Sequence, residues 1–459
     1  MSQVAPRIMI SSTASGAGKT TITCGLLAAL RSRGLSVAAC KCGPDYLDPS
    51  FHRQVLGARS RNLDLFLAGE ELVERLVADA ACGADVTVVE GAMGYYDGIA
   101  QSDVASAYDV ARVTGTPVVL VVDARGKALS ICAEVRGFIA FRTPSQVAGV
   151  ILNRVSDSYV PIMARMVERE CGVAVLGHVP TLDVAALESR HLGLVQADEV
   201  ADLREKVDAV ARVLERTIDL DRLLRVAGEA PDLDPVRPAP PEPIAGNPIV
   251  AVARDEAFSF YYPETLDLLE RLGARFAFFS PLRDSRLPKG ASGLYLGGGY
   301  PELHAAQLSA NASLRGEIAR LVVGGLPTIA ECGGFLYLHE SMEDVDGASY
   351  PLVGVVGGHC YGRGRLGRFG YVTLTARHDN LLARAGESIP AHEFHYWESS
   401  NSGSSFYAQK PQSERGWVAV IATETLYAGF PHLYLAGCPQ AARRFVSACA
   451  TYGQSGEVR

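Results

Sequence analysis

Short apolar runs rich in β-branched residues alternate with segments of helical spacing between residues 7 and 225. Residues 19–34, for example, repeat apolar side chains at the spacing of one helix face. The apolar runs are nearly continuous, which is typical of strands covered on both faces. This alternation predicts an α/β fold with a parallel sheet between helices. The predicted strands are RIMISS (7–12), SVAACKC (36–42), DVTVVEG (85–91), PVVLVVDA (117–124), VAGVILNRV (147–155) and VAVLGHVP (173–180).

A proline-rich segment follows this region. Residues 229–248 contain seven prolines and few apolar side chains, so they cannot build a core and are expected to form an extended spacer. A chain of 459 residues also exceeds what one hydrophobic core usually serves. We therefore predict two domains, residues 1–228 and residues 249–459, joined by this linker.

Strands and helices alternate again after residue 248, and the pattern then changes to antiparallel strands and loops. The first part predicts a second α/β domain. Its predicted strands are IVAVARD (249–255), RFAFFSPL (275–282), GLYLGGG (293–299) and LPTIAE (326–331). One helix is predicted at FYYPETLDLLERLG, which begins at residue 260, and another from Pro301 to Val323. The antiparallel part contains RFGYVTLTARHD (368–379) and HEFHYWESS (392–400).

The composition is that of an ordinary globular protein, 48% hydrophobic and 20% charged. A formal net charge of -8 argues against a general nucleic-acid binder. The ten cysteines include no CxxC pair, so neither a structural zinc site nor a disulfide framework is expected. The sequence shows no signal peptide and no apolar run of about 18 residues, so we expect a cytoplasmic protein that does not enter a membrane.

The segment SGAGKTT, residues 15–21, lies between the first strand and an amphipathic helix. Glycines there let backbone N–H groups point inward, and the helix N-terminus adds partial positive charge. Lys19 can reach terminal phosphates and Thr20 can ligate Mg²⁺. The usual first glycine of this motif is replaced by Thr13. The predicted nucleotide-binding residues are Ser15, Gly16, Ala17, Gly18, Lys19, Thr20 and Thr21.

Acidic residues follow the next two strands. Asp45 and Asp48 lie in CKCGPDYLDP, and Glu90 and Asp97 lie in VTVVEGAMGYYDG. The carboxyl ends of parallel strands form the ligand crevice of such sheets, so these carboxylates are expected to meet the phosphate loop. We assign Asp45 and Glu90, with Thr20, to Mg²⁺ and the activated phosphoryl group. Asp97 is assigned a helper or substrate contact.

A cysteine occupies a tight strand-to-helix corner in PTIAECGGFLYL, residues 327–338. A nucleophile at such a corner is exposed above the sheet, and the helix N-terminus is expected to lower the pKa of Cys332. His432, beside another apolar strand, is the predicted base. An oxyanion hole is predicted from backbone N–H groups at the corner and at the upstream glycine-rich strand end. Its members are Gly298, Gly299 and Gly333.

These residues resemble the glutaminase half of the class I amidotransferases, in which a cysteine takes glutamine as a thioester and releases ammonia. The usual carboxylate two residues after the histidine is replaced by Tyr434. We therefore interpret Cys332 and His432 as a dyad, as in the cobyrinic acid synthase branch. Nearly the whole chain resembles the cobyrinic acid a,c-diamide synthase family, through SGAGKTT, KCGPDYLDP, VVEGAMGYYDG, DEAFSFYY, LGGGYPEL, ECGGFLYL and HEFHYWES.

The resemblance implies a ligase with two sites, one in each domain. The first domain resembles dethiobiotin synthetase and would transfer the γ-phosphate of ATP to a carboxylate of a corrinoid, with Mg²⁺ as a second cofactor. The second domain would hydrolyse L-glutamine, and ammonia would displace the phosphate to form an amide. The acetate side chains a and c would be amidated in turn. Residues expected at the activated carboxylate are Lys41, Asp45, Asp48, Glu90 and Asp97.

Several further residues are candidates for substrate contacts. A polycarboxylate needs positive charge, which Lys41, Arg53 and the arginines of GRGRLGR (362–368) offer. The cluster FSFYY (258–262) is core by its composition, but it could also support a flat macrocycle. His392 and His395 show no compact set of metal ligands, so interface or substrate roles are expected for them.

Two alternatives remain open at this level. Nickel-sirohydrochlorin a,c-diamide synthase shares these motifs, and the sequence gives no physical discriminator. A MinD-like ATPase switch with an inert amidotransferase domain is a different class. Residues 12–17 lack the early lysine of such switches, and Cys332 and His432 are both present. The sequence does not fix the oligomeric state, and a homodimer stays open.

Overall fold

The structure is a computed structural model that describes residues 6–182 and 197–456. The chain divides into two units, Met1–Arg237 and Pro238–Arg459. The division falls within the proline-rich segment, which is anchored at both ends. The carbonyl of Pro231 accepts a hydrogen bond from Arg7 in the first unit, and the carbonyl of Glu242 accepts one from Arg443 in the second.

The first unit contains a seven-stranded sheet in the order β3-β2-β4-β1-β5-β6-β7, with every neighbouring pair parallel. Its six predicted strands are all confirmed. The strand Ser60–Leu63 was not predicted, since it is four residues long and includes three polar side chains. The strands are β1 Arg7–Ser12, β2 Val37–Cys42, β3 Ser60–Leu63, β4 Val86–Glu90, β5 Val118–Asp123, β6 Val147–Asn153 and β7 Ala174–Val179.

Helices cover both faces of this sheet. Along β1, Ile8 and Ile10 point into one buried core, whereas Met9 points into the other. A strand without a wet face is therefore expected to be apolar on both sides, and the centre of β1, residues 8–10, is. The helices of the described part of this unit are α1 Lys19–Ser32, α2 Leu47–Gln54, α3 Leu65–Ala68, α4 Glu70–Ala81, α5 Ala107–Thr114, α6 Ser130–Ala140, α7 Val160–Cys171, α8 Ala197–Thr217 and α9 Leu220–Gly228.

The second unit contains a six-stranded sheet in the order β20-β21-β11-β10-β8-β9. All neighbours are parallel except β20 and β21, which are antiparallel. The predicted α/β class is therefore confirmed in both units. The strands of this sheet are β8 Ile249–Ala253, β9 Arg275–Phe279, β10 Ala291–Leu296, β11 Thr328–Glu331, β20 Ile421–Ala422 and β21 Leu426–Gly429.

Two smaller sheets follow the order β13-β12-β14-β17 and β19-β18-β15-β16-β22. The second of them is antiparallel throughout, as the pattern after residue 368 predicts. The strands are β12 His339–Glu343, β13 Ser349–Pro351, β14 Val356–Gly362, β15 Phe369–Ala376, β16 Ser388–Phe394, β17 Trp397–Ser399, β18 Phe406–Gln409, β19 Gly416–Ala419 and β22 His432–Leu433.

The helix predicted from Pro301 to Val323 is interrupted. A 3₁₀-helix, Pro301–His304, leads into two α-helices that meet at Asn311. The Asn311 side chain accepts a hydrogen bond from Leu314 N at 3.4 Å, and such a cap favours a helix start over a helix interior. The helices of the described part of this unit are α10 Pro263–Arg271, α11 Ala305–Ala310, α12 Ala312–Val323, α13 Gly333–Tyr337 and α14 Pro439–Gly456.

Across residues 6–182 and 197–456, every helix is too short or too polar to cross a lipid bilayer.

Candidate active sites

The phosphate loop of the first unit joins β1 to α1. Gly16 and Gly18 have φ values of 75° and 96°, in the left-handed region that favours glycine. A Cβ on Gly18 would also lie 2.5 Å from Asn153 Nδ2. The loop therefore needs glycine for its conformation, and it leaves the N-terminus of α1 free to face an anion. Ser15 and Gly16 are exposed, Ala17 is buried, and Thr20 and Thr21 are half-buried.

Lys19 folds its side chain back over this loop. Its Nζ donates hydrogen bonds to Ser12 Oγ at 2.8 Å and to the carbonyls of Ala14 and Met93. Burial lowers the pKa of Lys19 to about 8, and the nearby charge of Lys41 acts in the same direction. An ammonium group held in this way lies where the phosphates of a nucleotide would be bound.

Glu90, at the end of β4, is the centre of a buried charged cluster. Its Oε1 accepts hydrogen bonds from Thr20 Oγ1 and Lys41 Nζ, each at 2.7 Å. Lys41 Nζ also lies 2.5 Å from Asp48 Oδ2. The structure thus brings Thr20, Lys41, Asp48 and Glu90 together from four different segments of the chain.

The pKa shifts in this cluster separate the roles of its members. Burial opposes the charge on Glu90, but Lys41 and His52 together outweigh it and hold the pKa of Glu90 well below its usual range. Burial raises the pKa of Asp48 to about 8, although Lys41 acts against it. Burial also opposes the charge on Lys41, yet the neighbouring carboxylates raise the pKa of Lys41 above its usual value. Lys41 and Glu90 are therefore the charged pair, and Asp48 is the member that takes up a proton most readily.

The remaining two carboxylates make contacts within their own loops. Asp45 Oδ1 accepts hydrogen bonds from the N–H groups of Leu47 and Asp48, at 2.8 and 3.1 Å, and so caps α2. Its Oδ2 lies 4.0 Å from Lys41 Nζ, at the edge of the cluster. Asp97 Oδ2 accepts the N–H of Gly94 at 2.9 Å.

The oxygen atoms near the loop fit a magnesium ion. Thr20 Oγ1 and Glu90 Oε1 are 2.7 Å apart, close to the separation of about 2.9 Å between neighbouring ligands in an octahedron with Mg–O distances of about 2.1 Å. No group of three or more His, Cys, Asp or Glu side chains that could hold a metal occurs in the described parts of the chain. Magnesium commonly takes few protein ligands and completes its shell with phosphate and water.

Two residues of this site were not predicted. His52 Nε2 lies 3.5 Å from Glu90 Oε2, and His52 is fully buried on α2. Asn153, at the end of β6, donates a hydrogen bond from Nδ2 to the carbonyl of Ala17 at 2.7 Å. A polar residue directly after the apolar run of β6 could have identified Asn153, whereas the sequence around His52 contains no comparable signal.

In the second unit, Cys332 occupies the turn between β11 and α13. Its φ and ψ are 47° and -102°, an uncommon conformation for a residue with a side chain. Its N–H donates to the carbonyl of Gly429 at 2.8 Å, and its Sγ lies 3.8 Å from the carbonyl oxygen of Phe394. The predicted strand-to-helix corner is therefore present. The prediction that the thiol is exposed above the sheet was wrong, because neighbouring segments bury Cys332.

The prediction of a lowered thiol pKa was wrong. Burial raises the pKa of Cys332, the negative charge of Glu302 raises it further, and the N–H of Gly333 offsets only part of this. The helix after the cysteine is five residues long, so its dipole is small beside the loss of hydration. In this state Cys332 is a neutral thiol that needs a base.

The three predicted oxyanion-hole glycines lie in close contact. A Cβ on Gly333 would lie 3.0 Å from Gly299 N, and a Cβ on Gly298 would overlap Cε1 of His432. The nucleophile turn, the glycine corner after β10 and the imidazole are therefore packed around one another. Only glycine allows backbones and rings to approach this closely.

His432 lies on β22, paired with His392 of β16. Burial lowers the pKa of His432 to about 3, with His392 and His395 acting in the same direction. The ring is therefore neutral near pH 7, and the same burial makes it a weaker base than a hydrated imidazole. The adjacent backbone is fixed by Glu331, which precedes the nucleophile and accepts the N–H of Leu433 at 3.0 Å.

Glu331 was not predicted as part of this site. Its Oε2 also accepts a hydrogen bond from Tyr295 at 3.2 Å, and burial raises the pKa of Glu331 to about 8. The position after the histidine strand, Tyr434, is a buried aromatic residue whose ring lies 5.0 Å from that of Tyr262. The acidic residue directly before Cys332 was visible in the sequence, but its bond to the histidine strand depends on tertiary structure.

Comparison with protein families matches both units. Residues 8–195 match the family described as the CobQ/CobB/MinD/ParA nucleotide binding domain. Residues 249–438 match the CobB/CobQ-like glutamine amidotransferase domain.

Relatives with assigned names match almost the full length of the chain. The chain is 38% identical over 451 residues to the cobyrinate a,c-diamide synthase of Caldanaerobacter subterraneus subsp. tengcongensis, covering 97% of this chain and 99% of that protein. It is 40% identical over 469 residues to the hydrogenobyrinate a,c-diamide synthase of Thermobifida fusca, covering 98% of each. It is 37% identical over 447 residues to the cobyrinate a,c-diamide synthase of Salmonella typhimurium, covering 96% of this chain and 97% of that protein.

Proposed function

The chain belongs to the cobyrinate a,c-diamide synthase family, and we propose that it amidates the a- and c-acetate carboxylates of cobyrinic acid or hydrogenobyrinic acid with ATP and glutamine. It is a ligase that forms carbon–nitrogen bonds and carries a glutamine amidotransferase domain. In the proposed reaction, a carboxylate attacks the γ-phosphate of ATP to give an acyl phosphate and ADP. Ammonia then attacks the acyl carbon and phosphate leaves, so each cycle yields one primary amide.

The first unit supplies the groups that this activation needs. The N–H groups of the phosphate loop and Lys19 bind the phosphates, while Lys41 lies where negative charge would develop on the transferred group. Thr20 and Glu90 would hold Mg²⁺. When bound, the ion would neutralise phosphate charge. Activation is required because a free carboxylate is a poor electrophile.

The second unit supplies the ammonia. The Cys332 sulfur attacks the carboxamide carbon of glutamine, and the thiol proton passes to the neutral imidazole of His432. The N–H groups at Gly299 and Gly333 would stabilise the oxyanion. The proton then goes to the leaving nitrogen, ammonia departs, and water cleaves the thioester to release glutamate.

One observation carries the proposal. A single chain, similar over 96–98% of its length to named a,c-diamide synthases, combines a phosphate loop facing the Lys41–Glu90 pair with a buried thiol whose turn packs against the same glycine corner as a neutral histidine. The first arrangement suits carboxylate activation, and the second suits glutamine hydrolysis. Neither the nickel-sirohydrochlorin reaction nor an ATPase switch is favoured by these relatives.

Mass spectrometry of the macrocycle tests this function directly. Purified protein is incubated with ATP, Mg²⁺, glutamine labelled with ¹⁵N in its side-chain amide, and one macrocycle at a time. We expect cobyrinic or hydrogenobyrinic acid to gain two labelled amides in an ATP-dependent reaction. Amidation of nickel-sirohydrochlorin alone, or no amidation of any macrocycle, would contradict the proposal.

Replacing Gly298 by alanine is expected to reduce glutamine-driven synthesis on the order of 10²-fold, since the added methyl would overlap His432 Cε1 and displace the base. Synthesis driven by ammonium chloride bypasses this site and should stay unchanged. Steady-state rates with the two nitrogen sources provide the measurement.

Gly316→Ala is the matched control for this substitution. A Cβ at Gly316 on α12 meets no atom within 4 Å, so this variant should keep both activities. Unchanged glutamine-driven turnover in Gly298→Ala would show that His432 is not positioned by this glycine.

A further inference from the structure

Glu393, near the end of β16, has a fully buried carboxylate, and neither of its oxygen atoms has a hydrogen-bond partner within the described residues. It lies opposite Gly370 in the pairing of β15 with β16. A buried carboxylate without a hydrogen-bond partner is unfavourable, and such a group calls for an explanation, for example a bound ligand, ion or water.

Two donors near this carboxylate are also buried without a partner in the part of the chain that the structure describes. They are Arg368 Nη1 and Trp417 Nε1. The Arg368 guanidinium lies over the Trp417 ring at 4.6 Å, and the indole N–H faces Glu393 without a hydrogen bond of normal geometry. Burial raises the pKa of Glu393 to about 7, although Arg368 and Lys410 act in the opposite direction. An acidic and a basic group therefore lie near one another, and within the described residues neither has a hydrogen-bonded partner of opposite charge.

The internal cations of this region do not satisfy the carboxylate. Within residues 6–182 and 197–456, no ion pair within 4.0 Å joins Glu393 to Arg368 or to Lys410. The Lys410 ammonium instead donates to the carbonyl of Phe369. Within the described residues, Glu393 and Arg368 are thus each left without a short ion pair.

The cluster adjoins the nucleophile. The residue after Glu393 is Phe394, whose carbonyl oxygen lies 3.8 Å from Cys332 Sγ. The charge of Glu393 is also close enough to raise the pKa of Cys332. Strand β16, which carries Glu393, pairs with β22, which carries His432. A ligand in this cluster would therefore lie next to the reacting thiol.

We propose that Glu393 binds the α-ammonium, and Arg368 the α-carboxylate, of the glutamine whose side chain is attacked by Cys332. This inference rests on the proposed function. The head group of glutamine is three carbon–carbon bonds from its carboxamide carbon and carries both charges. It would provide each unpartnered group with its complement, and charge-assisted hydrogen bonds of this kind are the strong ones. Glu393 and Arg368 would then select an amino acid over other amides.

Glu393→Gln tests the ammonium contact, since it keeps the shape of the side chain and removes its charge. The KM for L-glutamine should rise about 10- to 100-fold, with kcat changed little. Synthesis from ammonium chloride should stay within about twofold of the original rate. Glu424→Gln, at an exposed position of the same unit, is the matched control and should leave the KM for glutamine unchanged.

Substrate analogues identify the group that is bound. Glutaramic acid lacks the α-ammonium of glutamine, and 4-aminobutanamide lacks its α-carboxylate. The original protein should prefer glutamine over both analogues. Glu393→Gln should lose most of the preference for glutamine over glutaramic acid. Arg368→Met should lose most of the preference for glutamine over 4-aminobutanamide. Replacing a residue that only supports the fold would change the reaction rates with all three substrates alike.

The outcomes distinguish a failure of this inference from a failure of the proposed function. If the original protein releases no ammonia from glutamine, the proposed function is wrong. If it does so, and both variants keep the KM for glutamine and the original preferences, the head-group site is wrong. Should Glu393→Gln not fold, Arg368→Met at a half-buried position gives an independent answer, and unchanged preferences in it overturn the proposal.

Discussion

Replacing Cys332 by alanine is expected to lower glutamine-driven amide synthesis by at least about 10⁴-fold, because no other atom in the site can form the thioester. Synthesis from ammonium chloride should remain near its original rate, since ammonia enters the reaction after the cysteine has acted. The two rates are measured on the same preparation by formation of the macrocycle amide. The ratio between them is the diagnostic quantity.

The fold should tolerate this change. Alanine retains the Cβ and therefore the strained backbone at φ 47°, so neither strain relief nor collapse of the turn is expected. Cys360→Ala is the matched control, because Cys360 is a fully buried thiol of the same unit that lies on β14 and not in the turn. It should keep glutamine-driven synthesis. If Cys332→Ala retains more than about a tenth of that synthesis, the thiol is not the nucleophile.

The parts of the fold that could be predicted are those in which local pattern and tertiary burial agree. Strands such as β4 and β5 are nearly continuous apolar runs because helices cover both faces of the sheet, and this made them recognisable in the sequence. Strand β3 is short, with Arg61 and Asn62 within it, and only its pairing with β2 makes it a strand. The break at Asn311 was missed for a related reason. A single capping side chain decides it.

The candidate sites were predictable as far as strand ends determine them. Thr20, Glu90 and Cys332 each follow an apolar strand, and parallel strands place such positions at one edge of a sheet. Which carboxylate meets Lys41 was not predictable, since Asp45 and Asp48 are three residues apart and only the orientation of α2 separates them.

Burial explains most of the remaining differences between the sequence-based predictions and the structure. The sequence placed Cys332 at a helix start and therefore suggested a thiolate, but the pKa depends on how much water reaches the sulfur. The same limit applies to Glu393, which lies in the predicted antiparallel segment HEFHYWESS. Its lack of a partner is a property of the assembled unit and cannot be read from HEFHYWES.

Replacing Lys19 by alanine is expected to stop amide synthesis from both nitrogen sources, with a loss on the order of 10²–10³-fold. The ammonium group reaches into the phosphate loop from the first turn of α1, where Ser12 and the carbonyls of Ala14 and Met93 hold it. Burial lowers the pKa of Lys19 to about 8, and the negative charge of a bound nucleotide would stabilise its protonated form. Binding of a fluorescent ATP analogue and rates of synthesis provide the measurements.

The two substitutions together locate the defect in each unit. Lys19→Ala should still convert glutamine to glutamate at Cys332, whereas Cys332→Ala should still bind the nucleotide. Lys206→Ala, which removes a surface ion pair with Asp202 on α8, is the matched control and should keep every activity. If Lys19→Ala supports ammonium-driven synthesis within about tenfold of the original rate, the phosphates are not bound by this loop, because a missing charge at the γ-phosphate cannot be bypassed by supplying ammonia.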